Sequence, residues 1–425
     1  MNKHNILNPY AGKTIFVQIA AFRDKELIPT LTDLFDKATE PENLHVCICW
    51  QHHEEDTWDT IDNFSQWKNN IEIIDIKAGD SKGVCWARNL IQKKYKKEDF
   101  TLQLDSHHRF VEGWDTELKN EILQLQLQGY EKPLLTGYIT SYHPSLPEKE
   151  WGQEPWQMVF DRFTPDGVVF FRPAPIPDWK NKKTPLPARF YSAHFCFTLG
   201  IFCNEVPHDP RYYFHGEEIT IGVRAFTKGY DLFHPHKIIA YHEFSRDYRP
   251  DKHWDTYSNW NNHNEETYRL MKELLGIDGV NCTAEEKCGM YGIGKVRSIA
   301  DWENYAGVRF LDRALQQETL DGVPPPNSLK SDWFRYFKHC IDLDKSDFSC
   351  DDMEFLAVAL HNNDDETLLR KDISGDALTA ILSKENLNIW IEGEVSELPK
   401  YYVVWPFYKN SGWGQRYTNK LLKNI

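Results

Sequence analysis

The residues with the clearest capacity for chemistry close one short run, Thr101-Leu102-Gln103-Leu104-Asp105-Ser106-His107-His108-Arg109-Phe110. The run begins apolar and strand-like and turns polar at Asp105. Residues i and i+2 of a strand share a face, so Asp105 and His107 project together and Ser106 turns away. One carboxylate oxygen and one imidazole nitrogen converging in this way make half of a divalent metal site. In open α/β sheets, ligands bind just beyond the carboxyl ends of the strands. The same residues also suit a polar strand exit with an incidental histidine pair, because so short a motif recurs by accident.

Two distant pieces belong with it. Phe214-His215-Gly216-Glu217-Glu218 opens a helix, and Tyr241-His242-Glu243 ends an apolar run. Asp105, His107 and His242 together would leave coordination positions open for ligand oxygens. That mixed set suits Mn²⁺, with Mg²⁺ as the second choice. An ion so placed on a diphosphate would neutralise charge developing on the leaving group. Glu217 or Glu218 could then hold a sugar hydroxyl. Each piece also has a plainer reading. Two acids in a first helical turn complement the helix dipole, and a lone histidine beside a loop is commonly just hydrogen-bonded.

These residues need a sheet to position them. Residues 13–20, 44–50, 71–76 and 101–105 read as buried strands. Between them, residues 26–38 carry Leu27, Leu31, Leu34 and Phe35 on one helical face, residues 51–67 hold a short helix, and residues 84–95 form a second long one. A further helix is expected over 115–128, with Leu118, Ile122 and Leu125 on one face. Strands alternating with helices at this spacing give a mainly parallel, doubly wound sheet. Asp105 then ends the fourth strand, near a topological switch point. Another strand is expected over 134–139, a helix over 219–228 and a strand region over 231–241. Residues 141–187, rich in proline, tryptophan and charge, read as a functional loop region. Within it, Pro173-Ala174-Pro175-Ile176-Pro177 suggests extended chain lining a groove. Composition changes after Pro324-Pro325-Pro326. Short β segments over 356–360, 388–392 and 400–408 follow. The expected organisation is a catalytic domain over 1–310, a linker over 311–330 and a small β-rich accessory domain over 331–425.

Composition narrows the function classes. A length of 425 residues permits two or three domains. The net charge of −15 excludes nucleic acid or an anionic membrane as the main partner. There is no apolar run near about 20 residues, so no membrane span is expected. The opening residues, Met1-Asn2-Lys3-His4-Asn5-Ile6, lack the apolar core of a signal peptide. Fifteen tryptophans, several in polar stretches, fit both core packing and a sugar-binding surface. The nine cysteines (Cys47, Cys49, Cys85, Cys196, Cys203, Cys282, Cys288, Cys340 and Cys350) are odd in number and sit in apolar strings. They read as reduced, mostly buried thiols of a cytoplasmic protein. Cys47 and Cys49 would face one packed side of a strand, with no second pair at zinc spacing.

Three ordered motifs resemble those of the GlcNAc-transferase family: Phe16-Val17-Gln18-Ile19-Ala20-Ala21-Phe22-Arg23-Asp24, Gly83-Val84-Cys85-Trp86-Ala87-Arg88-Asn89, and residues 102–110. That family includes the Skp1-type hydroxyproline α-N-acetylglucosaminyltransferases. It is similar to the polypeptide GalNAc-transferases in its GT-A fold and Asp-x-His metal motif. The likeness runs over residues 13–245 and stops before residue 310. It implies a GT-A-type nucleotide-sugar-binding domain and a retaining, metal-assisted transfer from UDP-GlcNAc to a protein or glycan hydroxyl. On this chain, Asp105 and His107 fall at metal ligands. His242 matches the distal histidine ligand of the GalNAc enzymes, and Glu217 the glutamate of their Gly-Glu signature. Phe22, Arg23, Asp24 and Arg88 fall where such folds contact uridine and diphosphate. His215 stands where that signature has a further glycine. Two rival readings remain. One is a metal-dependent phosphoesterase using Asp105, His107, His108 and His242. The other is a non-catalytic sugar-binding protein. Release of UDP from UDP-GlcNAc separates both from a transferase.

Overall fold

Eight consecutive residues, Ile15–Phe22, form β1 near the middle of the main sheet, and every second side chain faces a different core. Ile15, Val17, Ile19 and Ala21 pack toward helices α1 (Leu27–Asp36) and α3 (Trp114–Leu127). Phe16 packs the other way, toward Ala87 and Ile91 of helix α2 (Val84–Gln92). A strand apolar on both faces requires helices on both faces, and the intervening helices supply them. The structure is a computed structural model that describes residues 9–58, 60–245, 248, 251–280, 289–349 and 352–421.

The parallel half of the sheet comprises β1, β2 (Leu44–His52), β3 (Ile71–Lys77) and β4 (Phe100–Asp105). Their spatial order is β4-β1-β2-β3. The chain runs outward from β1 to β3, then crosses back to place β4 on β1's other side. The expected switch point is therefore the β1/β4 edge, where Ala20 is level with Asp105. Beyond Asp105 come β5 (His108–Phe110), β6 (Pro133–Thr136), β7 (Ser141–Tyr142), β8 (Trp156–Phe163), β9 (Val169–Pro175), β10 (Leu186–Pro187), β11 (Phe195–Leu199), β12 (Asp231–His234) and β13 (Ala240–Glu243). The main sheet continues through β11, β6, β12 and β10, with β11 and β10 reversed against their neighbours. The fold is α/β and mainly parallel, with the reversal confined to the half that follows Asp105.

Three expectations differ in detail. The strand region expected over 231–241 is two strands in two sheets, and only β12 joins the main one. The stretch over 141–187, expected as loop, contains the β8–β9 hairpin. Its Met158, Phe160, Phe163, Val168 and Val169 bury against Phe190, Ile219 and Val223 in a second core. Abundant proline and tryptophan had hidden that alternation. Within the expected groove-lining run, Pro173 and Pro175 end β9, and Pro173 faces a cavity.

Cys47 and Cys49 pack together under α2, where burial pushes both thiols up to about 12. Cys85, Cys196 and Cys203 are also buried free thiols, and Cys340 is half-buried. Cys282, Cys288 and Cys350 lie outside the described residues, as does the amino-terminal run ending at Ile6. Among the described residues, no helix is long and apolar enough to cross a membrane.

The C-terminal β-rich part has its own core, built from residues such as Leu356, Val358, Ile389 and Val404. The segment before it is not a loose tether. Strand Phe334–Asp344 first pairs with Ala314–Leu315 and then with Asn386–Glu394, so one sheet crosses the expected boundary. Arg189, buried, donates to the Ala306 carbonyl at 2.8 Å and also to the Val323 carbonyl and the Asn327 side chain. Asn327 in turn donates to Thr319 Oγ1 at 2.8 Å. Composition had suggested a flexible proline linker, but polar anchoring through Arg189 fastens it. Native protein should therefore resist limited proteolysis over 311–330 and unfold in one transition. Arg189→Ala leaves buried acceptors unpaired and should cost about 3 kcal/mol. New cleavage in that segment of the variant, read by mass spectrometry, checks the assignment; cleavage of wild type there at equal rate would refute it.

Candidate functional site

β4 delivers Asp105 to the sheet edge, and the next turn is fixed from below by α1. The Thr30 hydroxyl lies 3.0 and 3.1 Å from the carbonyls of Ser106 and His108, and accepts the His108 amide at 2.9 Å. The chain then enters β5, which pairs antiparallel with β13 so that His242 lies opposite His108. His242 also sits level with Ser141 of β7. A small second sheet, rather than a shared edge of the main one, thus carries His242 across 137 residues of sequence to Asp105.

The three residues converge. Asp105 Oδ2 lies 3.7 Å from His107 Nε2 and 3.5 Å from His242 Nε2. One donor atom from each falls within 4.8 Å of the others, and this is the only such metal-compatible group among the described residues. Burial alone would raise the Asp105 pKa. The hydrogen bond from His242 and the Arg88 guanidinium, 2.8 Å away, instead hold it well below the ordinary carboxylate range. Burial, reinforced by the neighbouring His194, depresses the His242 pKa well below that of free imidazole. A charged carboxylate beside a neutral imidazole is the state a divalent ion requires.

Asp24, which the resemblance sets among the uridine and diphosphate contacts, does not itself line the cavities described below. It is fully buried behind His107, and its Oδ2 accepts His107 Nδ1 at 2.8 Å and the Ser106 hydroxyl at 2.5 Å. That bond puts the imidazole proton on Nδ1 and leaves the Nε2 lone pair facing Asp105. Arg23 likewise turns elsewhere. Its backbone has φ +46°, and its guanidinium grips Asp56 at 2.9 and 3.0 Å and pairs with Asp251. It anchors the segment that carries Lys252, His253 and Trp254 over the site.

Arg88 and the two glutamates complete the polar surface. Arg88 is buried; its Nη1 lies 3.9 Å from Glu217 Oε1, and its Nε and Nη1 make no hydrogen bond among the described residues. Glu217 and Glu218 open helix α5 (Glu217–Thr227), the fifth helix after the short α4 (Phe202–Glu205). Glu218 accepts the Ala193 amide at 2.8 Å and the Tyr138 hydroxyl at 3.2 Å. Burial pushes both glutamates above the ordinary carboxylate range. Gly216 precedes them at φ +102°, a conformation glycine adopts without strain.

Two cavities meet at this point. Phe22, Gln51, Gly83, Tyr213 and His253 line the smaller one, with Asp105 and His107 at its wall. Gly83 (φ +105°) begins α2 there; a Cβ would come within 2.9 Å of the Tyr213 ring. The larger cavity, about 820 Å³, is lined by Glu217, Glu218, His194 and His242 and by several aromatic side chains. Arg88, Asp105, Phe214 and Trp254 line both. Of the residues singled out in the sequence, Phe22, Arg88, Asp105, His107, Glu217, Glu218 and His242 face these cavities. Asp24 and Arg23 support residues that do. Sequence reasoning missed Tyr138, His194, Tyr213, His253 and Trp254. His194 stacks on His242 with ring centroids 4.2 Å apart. Only the tryptophan in a polar stretch and the glycine before α2 hinted at them.

A scan against protein-family models matches residues 14–65 and 60–312 to the family described as Glycosyltransferase (GlcNAc). A comparison with curated proteins gave no match. Among solved structures, the chain is similar to GalNAc-T7 with UDP, GalNAc and Mn²⁺, at 14% identity and a TM-score of 0.45, over 67% of this chain and 55% of that one. The chain thus spans just over half the length of that relative. It is also similar to residues 1–349 of S. aureus TarS in complex with UDP-GlcNAc, at 13% identity and a TM-score of 0.39, over 64% of this chain and 68% of that one. The family match covers more than half of the sequence and contains the whole Asp105–His242 site. The chain belongs to the GlcNAc glycosyltransferase family.

Proposed function

We propose that this protein is a retaining, metal-dependent glycosyltransferase that moves N-acetylglucosamine from UDP-GlcNAc to a hydroxyl of a protein or glycan, in the cytoplasm. The observation that carries the reading is the convergence of Asp105, His107 and His242 where the two cavities meet, in a chain of this family. The absence of bridging carboxylates for a second metal disfavours a two-metal phosphoesterase among the described residues. The buried free thiols suit a reducing compartment.

The donor set fits a borderline divalent ion: one carboxylate, two imidazoles, and an imidazole tautomer held by Asp24. Such an ion, held by Asp105, His107 and His242, would neutralise charge on the departing diphosphate. The chain's own residues do the rest. Phe22, Tyr213 and His253 give the smaller cavity flat walls for a uracil ring. Arg88 has unpaired donors for a phosphate or sugar oxygen and anchors Asp105 with its third nitrogen. Glu218, steadied by the Tyr138 hydroxyl and the Ala193 amide, and Glu217 face the larger cavity, where a sugar hydroxyl would bind. In the transfer, the acceptor oxygen forms a bond to the sugar's anomeric carbon while the bond to the diphosphate breaks. The electron pair leaves on the diphosphate, which also takes the hydroxyl proton. Front-face departure needs no protein nucleophile, only fixed charges around the leaving oxygen.

Three expected outcomes test this reading. Asp105→Ala and His107→Ala should each lower metal-dependent UDP release from UDP-GlcNAc by about a hundredfold or more while circular dichroism stays native. Wild-type turnover in either variant would remove the central claim. His242→Ala and Asp24→Asn should weaken Mn²⁺ binding by about 10–100-fold in calorimetry, and raised Mn²⁺ should partly restore turnover. Binding isotherms superimposable on wild type would mean that His242 is not a ligand and that Asp24 does not orient His107.

The third concerns the buried glutamates. With folded pKa values raised above the ordinary value of 4.5, the folded state holds a proton that the unfolded chain releases. Their contribution to stability is present at acid pH and is lost as pH rises through the raised folded value. Glu217→Gln removes that dependence. The melting temperature of metal-free Glu217→Gln, relative to wild type, should therefore be higher at pH 8 than at pH 5. A difference independent of pH would show that Glu217 titrates normally.

A further inference from the structure

The larger cavity is far bigger than one sugar needs, and its remaining wall is aromatic. Two chains of rings lead from its rim to the Asp105 site. On one side Phe170, His215, Phe214 and Trp254 follow one another at centroid spacings of 4.9, 4.5 and 5.9 Å. On the other, Trp156 lies 6.0 Å from Phe244, and Phe244 lies 4.2 Å from His242. Phe244 lines the cavity and remains 39% exposed, so a large ring is left partly open. Among the described residues, Arg88, at the shared wall with the smaller cavity, is the lysine or arginine that lines the larger one.

Resting on the glycosyltransferase reading above, we infer that the acceptor is a saccharide, whose rings lie against this aromatic wall and present one hydroxyl to the donor at Asp105. A pyranose has apolar C–H faces and polar edges. It therefore suits flat aromatic walls with polar groups at one end. An extended peptide suits the cavity less. Peptides commonly bind by adding a strand to a sheet edge, and the hairpin that walls the cavity ends in Pro173 and Pro175, which have no amide hydrogen to offer. The chemistry is that of the transfer already described, with the saccharide's hydroxyl oxygen bonding to the anomeric carbon and its proton leaving on the nucleoside diphosphate.

The test uses the full chain with Mn²⁺ and UDP-GlcNAc. One acceptor panel holds neutral mono- and disaccharide aryl glycosides, and the other holds serine, threonine and hydroxyproline peptides. Products are read by mass spectrometry and UDP release is read in parallel. Transfer should appear with saccharides and saturate. Phe170→Ala and Phe244→Ala should each raise the acceptor KM about tenfold, with the donor KM moving less than about twofold, and Phe170→Tyr should recover most of the loss. UDP release with transfer to peptides but not saccharides would overturn the inference and leave the glycosyltransferase reading standing. Saccharide transfer with an unchanged acceptor KM in both alanine variants would also overturn it. No UDP release from any nucleotide sugar, with folded protein and bound Mn²⁺, would remove the glycosyltransferase reading and this inference together.

Discussion

A buried carboxylate stays charged only if counter-charges and hydrogen-bond donors are brought to it. Asp105 receives Arg88 on one oxygen and faces two imidazoles with the other. Much of the fold around the site serves that arrangement. Helix α2 brings Arg88, and α1 fixes the turn that aims His107. The pairing of β5 with β13 brings His242. Asp24, placed just after β1, sets the tautomer of His107. Each of these elements also packs a core, so the site's geometry is supported by the same burial that stabilises the sheet. Small deviations at a metal or transfer site cost activity steeply, which makes rigid elements the natural source of its side chains.

The amino-terminal half was legible because its signals are local. Continuous apolar runs bounded by glycine and polar residues place β1 to β4, and one-sided apolar spacing places α1, α2 and α3. The pair Asp105 and His107 follows from the two-residue period of a strand. What the sequence concealed depends on contacts between distant segments. Nothing near Asp24 says that it lies behind His107 rather than at a diphosphate. Nothing near Arg23 says that Asp56 and Asp251 engage its guanidinium. The β8–β9 hairpin was obscured because its prolines and tryptophans mimic loop composition while its Met158, Phe160 and Phe163 make a core. The segment over 311–330 has a linker's composition, yet buried Arg189 from outside it and buried Arg313 within it fasten it to the preceding fold.

The position of His242 shows how such a constellation can be assembled without a long strand. β5, β7 and β13 are short and form a sheet of their own beside the main one. Three such short strands are weak in isolation. They are held because β5 follows directly from β4 and because Phe110, Ile239 and Ala240 enter the main core. A register shift of one residue between β5 and β13 would turn His242 away from Asp105 altogether. The apolar residues flanking the histidines therefore set the geometry of the Asp105, His107 and His242 cluster as firmly as the histidines themselves.

Charge gives the last link between structure and the proposed chemistry. The protein carries a net −15, and Asp105, Glu217 and Glu218 line the larger cavity. A nucleoside diphosphate adds more negative charge at the same place. Arg88 cannot offset both, because its positive charge already balances Asp105 at 2.8 Å. Lys252 in the smaller cavity stands beside Asp251, which is itself paired with Arg23. The local balance thus favours a cation arriving with a nucleotide donor, held by groups that already converge on one point. The raised pKa values of the two buried glutamates act in the same direction, since a protonated carboxyl lowers the negative charge that a donor would meet. Both effects would favour the proposed donor at the Asp105 junction, despite a protein-wide field that would otherwise repel it.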